Sequence, residues 1–233
     1  MKIRSQSAFT LIEMLVVISI IAVLAAFAVP ALTSALTKGQ MTGTLNNARQ
    51  LYLAGQQMAL DGSANSDPLL VWPGDDAALT TTDAYMTRLV QNDYLKPGDV
   101  QKLLSAPGSP AGVSSAAGPP VTVTVAAGTS ALKIYRVTDS DASNVIFATT
   151  KNYIYDTALS ATAGGGGPNN PYGDKGFIVQ RKGGDASVLR KNNAAVAAGG
   201  GPAATATFEA TTGKKPAESQ GTVTAGDPAL CTN

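Results

Sequence analysis

The residue with the strongest claim to chemistry is Glu13, because of where it stands. From Phe9 to Leu32 the chain reads FTLIEMLVVISIIAVLAAFAVPAL, and Glu13 is the sole charged residue in that run. At ~1.5 Å per residue such a run makes about 36 Å of helix, enough to cross a hydrocarbon layer of ~30 Å. A carboxylate in that setting costs roughly 2.5–3.5 kcal/mol on insertion scales, so by default it is functional and needs a cation. No Lys or Arg lies within the run. If the chain were cut after Ala8, Phe9 would gain an α-ammonium group, and a neighbouring copy could bring that group to Glu13. Pairing would lower the cost of both charges and fix one axial offset between copies.

Other polar constellations are weaker. Asp139, Asp141 and Asn144 in TDSDASN supply oxygen ligands and are the candidate calcium residues. The loop lacks the glycine and distal glutamate of an EF-hand loop, so a solvated turn is the favoured expectation and no cofactor is assigned. Gly164 to Gly167 resemble a phosphate loop only in composition, since no Gly-Lys-Ser/Thr follows. Asp75 and Asp76 are adjacent, and neighbouring loop carboxylates rarely converge on one substrate atom. Trp72 is expected to anchor a core beneath its loop. The chain has no His, which removes the commonest general base and the usual zinc ligand, and no catalytic set can be assembled. An enzyme is therefore not expected. Seventeen basic against sixteen acidic residues give a net charge of +1, without the basic patch that nucleic-acid binding needs. The single cysteine, Cys231, excludes an intramolecular disulfide.

The elements that must position Glu13 follow from hydropathy. Lys2 and Arg4 precede the apolar run, so the positive-inside rule places residues 1–8 in the cytoplasm and the remainder across the membrane. Beyond Pro30, which should kink the helix, Leu32, Leu36, Met41, Leu45, Ala48, Tyr52, Gly55 and Ala59 recur at helical spacing. This predicts an amphipathic continuation over 33–62, capped by Gly62 after Asp61. Thr82 or Asp83 should cap a second helix through Ala84 to Leu95, ended by Pro97 and Gly98, with one more turn from Asp99 to Ser105. Pro107 to Pro120 reads as loop. Val121 to Val125, Leu132 to Val137, Val145 to Phe147 and a hairpin of Phe177 to Gln180 with Ser187 to Arg190 give about four antiparallel strands. The Gly-rich run 161–170 and the tail from Gly199 onward are expected to be loops.

The opening residues are similar to those of a known family. A short basic leader followed by Phe9, Thr10, Leu11, Ile12 and Glu13 resembles the type IV pilins and the pseudopilins of type II secretion systems. With Phe9 first in the mature chain, Pro30 is the twenty-second residue, where that family often has proline. The family usually has glycine where Ala8 stands. The resemblance covers roughly residues 1–60. It implies an α+β, pilin-like fold: a long N-terminal α-helix, half transmembrane and half amphipathic, packed on a small antiparallel β-sheet. The organisation would be a leader over 1–8, a transmembrane and assembly helix over 9–32, an amphipathic helix over 33–62 and a globular domain over 63–233. It further implies cleavage between Ala8 and Phe9 by a prepilin peptidase, N-methylation of Phe9, and Glu13 as the registration residue. Its partners would be like subunits in a helical filament, the peptidase and an assembly platform in the bacterial inner membrane, with the C-terminal domain periplasmic. Absence of a disulfide-bounded loop favours a secretion pseudopilin over a surface pilin, with a minor tip subunit or tip adhesin open. The rival reading is a binding protein or enzyme using the segment only as signal or anchor, including a signal peptide cut after Ala28.

Overall fold

The computed structural model describes residues 10–116, 118–160, 171–227 and 231. The chain divides into two units, one up to Gly39 and one from Gln40 onward, and helix α1 (Leu11–Asn65) contributes to both.

In the first unit every side chain from Leu11 to Leu36 is exposed, and α1 is long and apolar enough to cross a membrane. Hydroxyls of Ser19, Thr33 and Thr37 bond to the helix itself. Ser19 Oγ donates to Leu15 O at 2.8 Å, and Thr33 Oγ1 donates to Pro30 O at 2.9 Å. That internal satisfaction is what a hydrocarbon environment demands of polar groups. Helical geometry continues through Pro30, whose missing N–H leaves the carbonyl of Ala26 without its usual donor.

In the second unit the buried face of α1 is formed by Met41, Thr44, Ala48, Leu51, Tyr52, Gly55, Met58, Ala59 and Gly62. Leu32 and Leu36 are exposed, so the buried stripe starts later than the periodicity suggests. Gly62 is not a cap but an interior helical residue. A Cβ there would collide with the Leu70 carbonyl, so a loop crossing close to the helix requires glycine. The helix ends three residues later, where Ser66 takes φ 55° and Asp67 N–H donates to Gly62 O at 2.9 Å, a Schellman closure.

Helix α2 (Thr82–Gln91) is capped by Thr81, whose Oγ1 accepts from Ala84 N–H at 3.1 Å, one residue before the expected cap. Pro97 opens α3 (Pro97–Leu104) rather than ending α2, as the fixed φ of proline suits a first helical position. The stretch expected to be loop contains β1 (Val113–Ala116), paired antiparallel with β2 (Thr122–Val125). The outer edge of β2 is covered by α2: Thr87 Oγ1 accepts from Val123 N–H at 2.9 Å, and Asp83 Oδ1 accepts from Val125 N–H at 2.8 Å.

The predicted antiparallel sheet has the order β3 (Leu132–Ile134), β4 (Ile146–Thr150), β5 (Phe177–Arg181), β6 (Ala186–Leu189). The β5–β6 hairpin forms as expected, with Gly184 at φ +91° in its turn. Strands β4 and β5 are buried throughout, so both faces of the sheet are covered. On one face Phe147 meets Tyr52 and Trp72, each with ring centroids 5.8 Å away, and Tyr85 at 6.4 Å. The expected role of Trp72 is thus confirmed. On the other face Ile146 lies against Gly213, which follows α4 (Gly201–Thr211). That helix corrects the expectation of a loose tail: Phe208 packs edge-on against Tyr155 at 5.3 Å, and the Arg181 guanidinium donates to Thr211 O. Burial raises the pKa of Tyr85, Tyr135, Tyr153 and Tyr155, all held as neutral phenols. The fold is α+β, with the second half of α1 packed on a small antiparallel sheet.

Candidate functional site

Glu13 stands at the third position of α1, and Thr10 is the residue before its first turn. Thr10 N–H donates to Glu13 Oε2 at 2.8 Å and Thr10 Oγ1 donates to the same oxygen at 2.7 Å. Glu13 N–H returns a bond to Thr10 Oγ1 at 3.3 Å. This is a reciprocal capping box, which satisfies backbone donors that would otherwise be orphaned at the helix start. The carboxylate also sits at the positive end of the helix dipole. Thr10 was overlooked in the sequence, although its signal is plain: a Thr-x-x-Glu spacing directly before an apolar run.

A carboxylate with local donors does not wait for a distant cation, so its position inside an apolar segment has a structural reason within one subunit. Both Thr10 bonds fall on Oε2, and among the described residues none reaches Oε1. One oxygen therefore serves the helix start, and the other can accept from a group outside this chain. The proposed cut between Ala8 and Phe9, and Phe9 as a methylation site, lie outside the described residues.

Asp139 N–H donates to Asp75 Oδ2 at 2.8 Å, Asp141 Oδ2 accepts from Thr138 N–H at 2.7 Å, and Asn144 O accepts from Lys214 N–H at 3.1 Å. The ammonium of Lys182 donates to the carbonyls of Asp139 at 2.5 Å and Asp141 at 2.7 Å. A lysine ammonium thus sits on two carbonyls of this loop. Asp75 and Asp76 diverge, since Asp76 pairs with Arg88 at 3.1 Å. No group of three or more acidic or cysteine side chains suited to a metal occurs among the described residues. The Gly164 to Gly167 run lies outside them.

The prokaryotic N-terminal methylation motif matches residues 3–29, which include Thr10, Glu13 and the first part of α1. Over part of its length the chain is similar to type IV fimbrial proteins. Among curated relatives of this pilin-like chain is the type IV major fimbrial protein FimA of Dichelobacter nodosus. It is 31% identical over 71 residues, which is 30% of this chain and 46% of FimA. The fimbrial protein EcpC of Eikenella corrodens is 42% identical over 73 residues, 31% of this chain and 43% of EcpC. The chain thus spans less than half the length of the curated pilins it matches. No solved structure matches it. The matched motif includes both Thr10 and Glu13.

Proposed function

We propose that this chain is a structural subunit of a type IV pilus-like filament, and within that class a pseudopilin of a type II secretion system. Prepilin peptidase removes residues 1–8 and exposes the amine of Phe9, which is then methylated. The subunit waits in the bacterial inner membrane, spanned once, with its N-terminus cytoplasmic and its C-terminal domain periplasmic. An assembly platform then moves it into a helical bundle of like segments. The observation that carries this reading is an apolar helix, exposed from Leu11 to Leu36, with one carboxylate that caps its own start through a single oxygen. The remaining oxygen accepts from the Phe9 ammonium of a neighbouring subunit and sets the register. No cofactor and no catalytic step enter this scheme, and the globular domain supplies the filament surface.

Expression beside a complete secretion or pilus assembly system tests it. Sheared material sedimenting as filaments should contain the chain, and cells lacking prepilin peptidase should yield none. Recovery of the chain only as a soluble secreted monomer would contradict the proposal.

A further inference from the structure

In the second unit α1 lies along the β5–β6 hairpin, and contacts at both ends fix its direction. At the turn end Tyr52 OH donates to Lys182 O at 2.6 Å. Met41, earlier on α1, lies at the open end: a Cβ on Gly176 would come within 3.2 Å of Met41 Cε and 2.7 Å of Leu189 O. The segment before β5 is held at the same end. Tyr172 OH donates to Gln40 O at 3.0 Å and shares a hydrogen bond with Thr44 Oγ1 at 2.6 Å, while Asn152 Nδ2 donates to Gly173 O and Gly176 O, each at 2.8 Å.

The last cross-strand pair at the open end is Phe177 with Leu189. Just beyond it stand Lys175 on one side and Arg190 and Lys191 on the other, all exposed. Lys191 pairs with Asp174 at 3.2 Å, and among the described residues no carboxylate lies within ion-pair distance of Lys175 or Arg190. Cations at the turn end are instead committed to the protein: Lys182 bonds to the carbonyls of Asp139 and Asp141, and Arg181 pairs with Asp185. Chain connectivity then limits where the open end lies. Gln40 opens the second unit and follows Leu36, the last large exposed apolar side chain of the first, by four residues. Whatever the angle between the units, four residues reach no more than about 14 Å. The headgroup layer beside a hydrocarbon core is about 5–8 Å deep.

We infer, on the proposed membrane-spanning role of α1, that Lys175, Arg190 and Lys191 form a docking surface for anionic phospholipid headgroups, which seats the globular unit on the membrane before assembly. Long, exposed, unpaired cations suit such a ligand, because attraction to a charged leaflet needs neither a cavity nor a fixed geometry and acts within a Debye length of about 8–10 Å.

The full-length chain, reconstituted at one copy per nanodisc, tests this. Cys231 is buried and burial pushes its thiol up to about 12, so a bimane label goes to Asn192→Cys, exposed beside Lys191. With headgroup-nitroxide lipid present, bimane quenching should be at least about threefold stronger in discs with about one-third phosphatidylglycerol than in phosphatidylcholine alone, and high salt should remove the difference. Lys175→Gln/Arg190→Gln should lose the difference, whereas Lys175→Arg/Arg190→Lys should keep it. A chain that fails to enter the discs overturns the membrane-spanning reading and this inference with it. A chain that enters them but is quenched equally in both lipids, or whose quenching ignores Lys175→Gln/Arg190→Gln, overturns this inference alone. Lipid dependence seen only with two copies per disc would assign the cations to a second copy of the chain and would likewise overturn it.

Discussion

Chains carrying Glu13→Gln are expected to insert into the membrane normally yet give at least about tenfold fewer filaments. Glutamine can replace glutamate in a capping box, so the helix start should survive. What is lost is the negative charge that would meet the neighbouring Phe9 ammonium. Removing one partner of a desolvated ion pair costs about 3–5 kcal/mol, and every ~1.4 kcal/mol is tenfold in an equilibrium constant. Thr10→Ala is the matched control. It removes both side-chain capping bonds and leaves the charge, at a cost of about 0.5–2 kcal/mol, so it should assemble far better than Glu13→Gln. Quantifying sheared filaments from the two variants at equal membrane levels checks this. Wild-type yield from Glu13→Gln would reduce Glu13 to a helix cap.

Phe147→Ala should be the most damaging single truncation in the globular unit. Its ring is fully buried and touches Tyr52 on α1, Trp72 on the following loop and Tyr85 on α2, so it joins three elements to the sheet. Truncating a buried phenylalanine costs about 3–5 kcal/mol, and edge-to-face pairs are worth ~0.5–1.5 kcal/mol beyond area. The melting temperature should fall by about 10 °C. Trp72, the only tryptophan, packs on the deleted ring, so its fluorescence in urea titrations reads the change directly. Val188→Ala on the exposed side of β6 should change stability by less than about 0.5 kcal/mol. A Phe147→Ala cost below ~1 kcal/mol would mean that the aromatic cluster does not hold α1 to the sheet.

What the sequence revealed and what it hid differ in physical kind. The apolar run, the hairpin glycines and the Tyr85, Met86, Leu89, Val90 face of α2 are local patterns that fix local structure, and all appear as expected. The capping box is equally local, a Thr-x-x-Glu spacing directly before an apolar run. Other features depend on contacts distant in sequence. Val113 to Ala116 has no strand alternation and becomes β1 because β2 pairs with it. The α4 sequence is rich in Ala and Thr and is ordered by Phe208 against Tyr155 and by Arg181 at its last turn. Gly62 looks like a helix stop, yet its lack of a side chain serves a tertiary approach by Leu70. Lys133 pairs with Asp227 across 94 positions, a pairing that no periodicity could announce.

The central claim, that a newly made N-terminal amine and Glu13 drive assembly, rests most directly on the identity of the first residue. Mass spectrometry of the N-terminal peptide from the membrane-bound or filamentous protein decides it. The account predicts a chain beginning at Phe9 and carrying one added methyl group on its amine. A mature chain beginning at Met1 or at Val29 would contradict it.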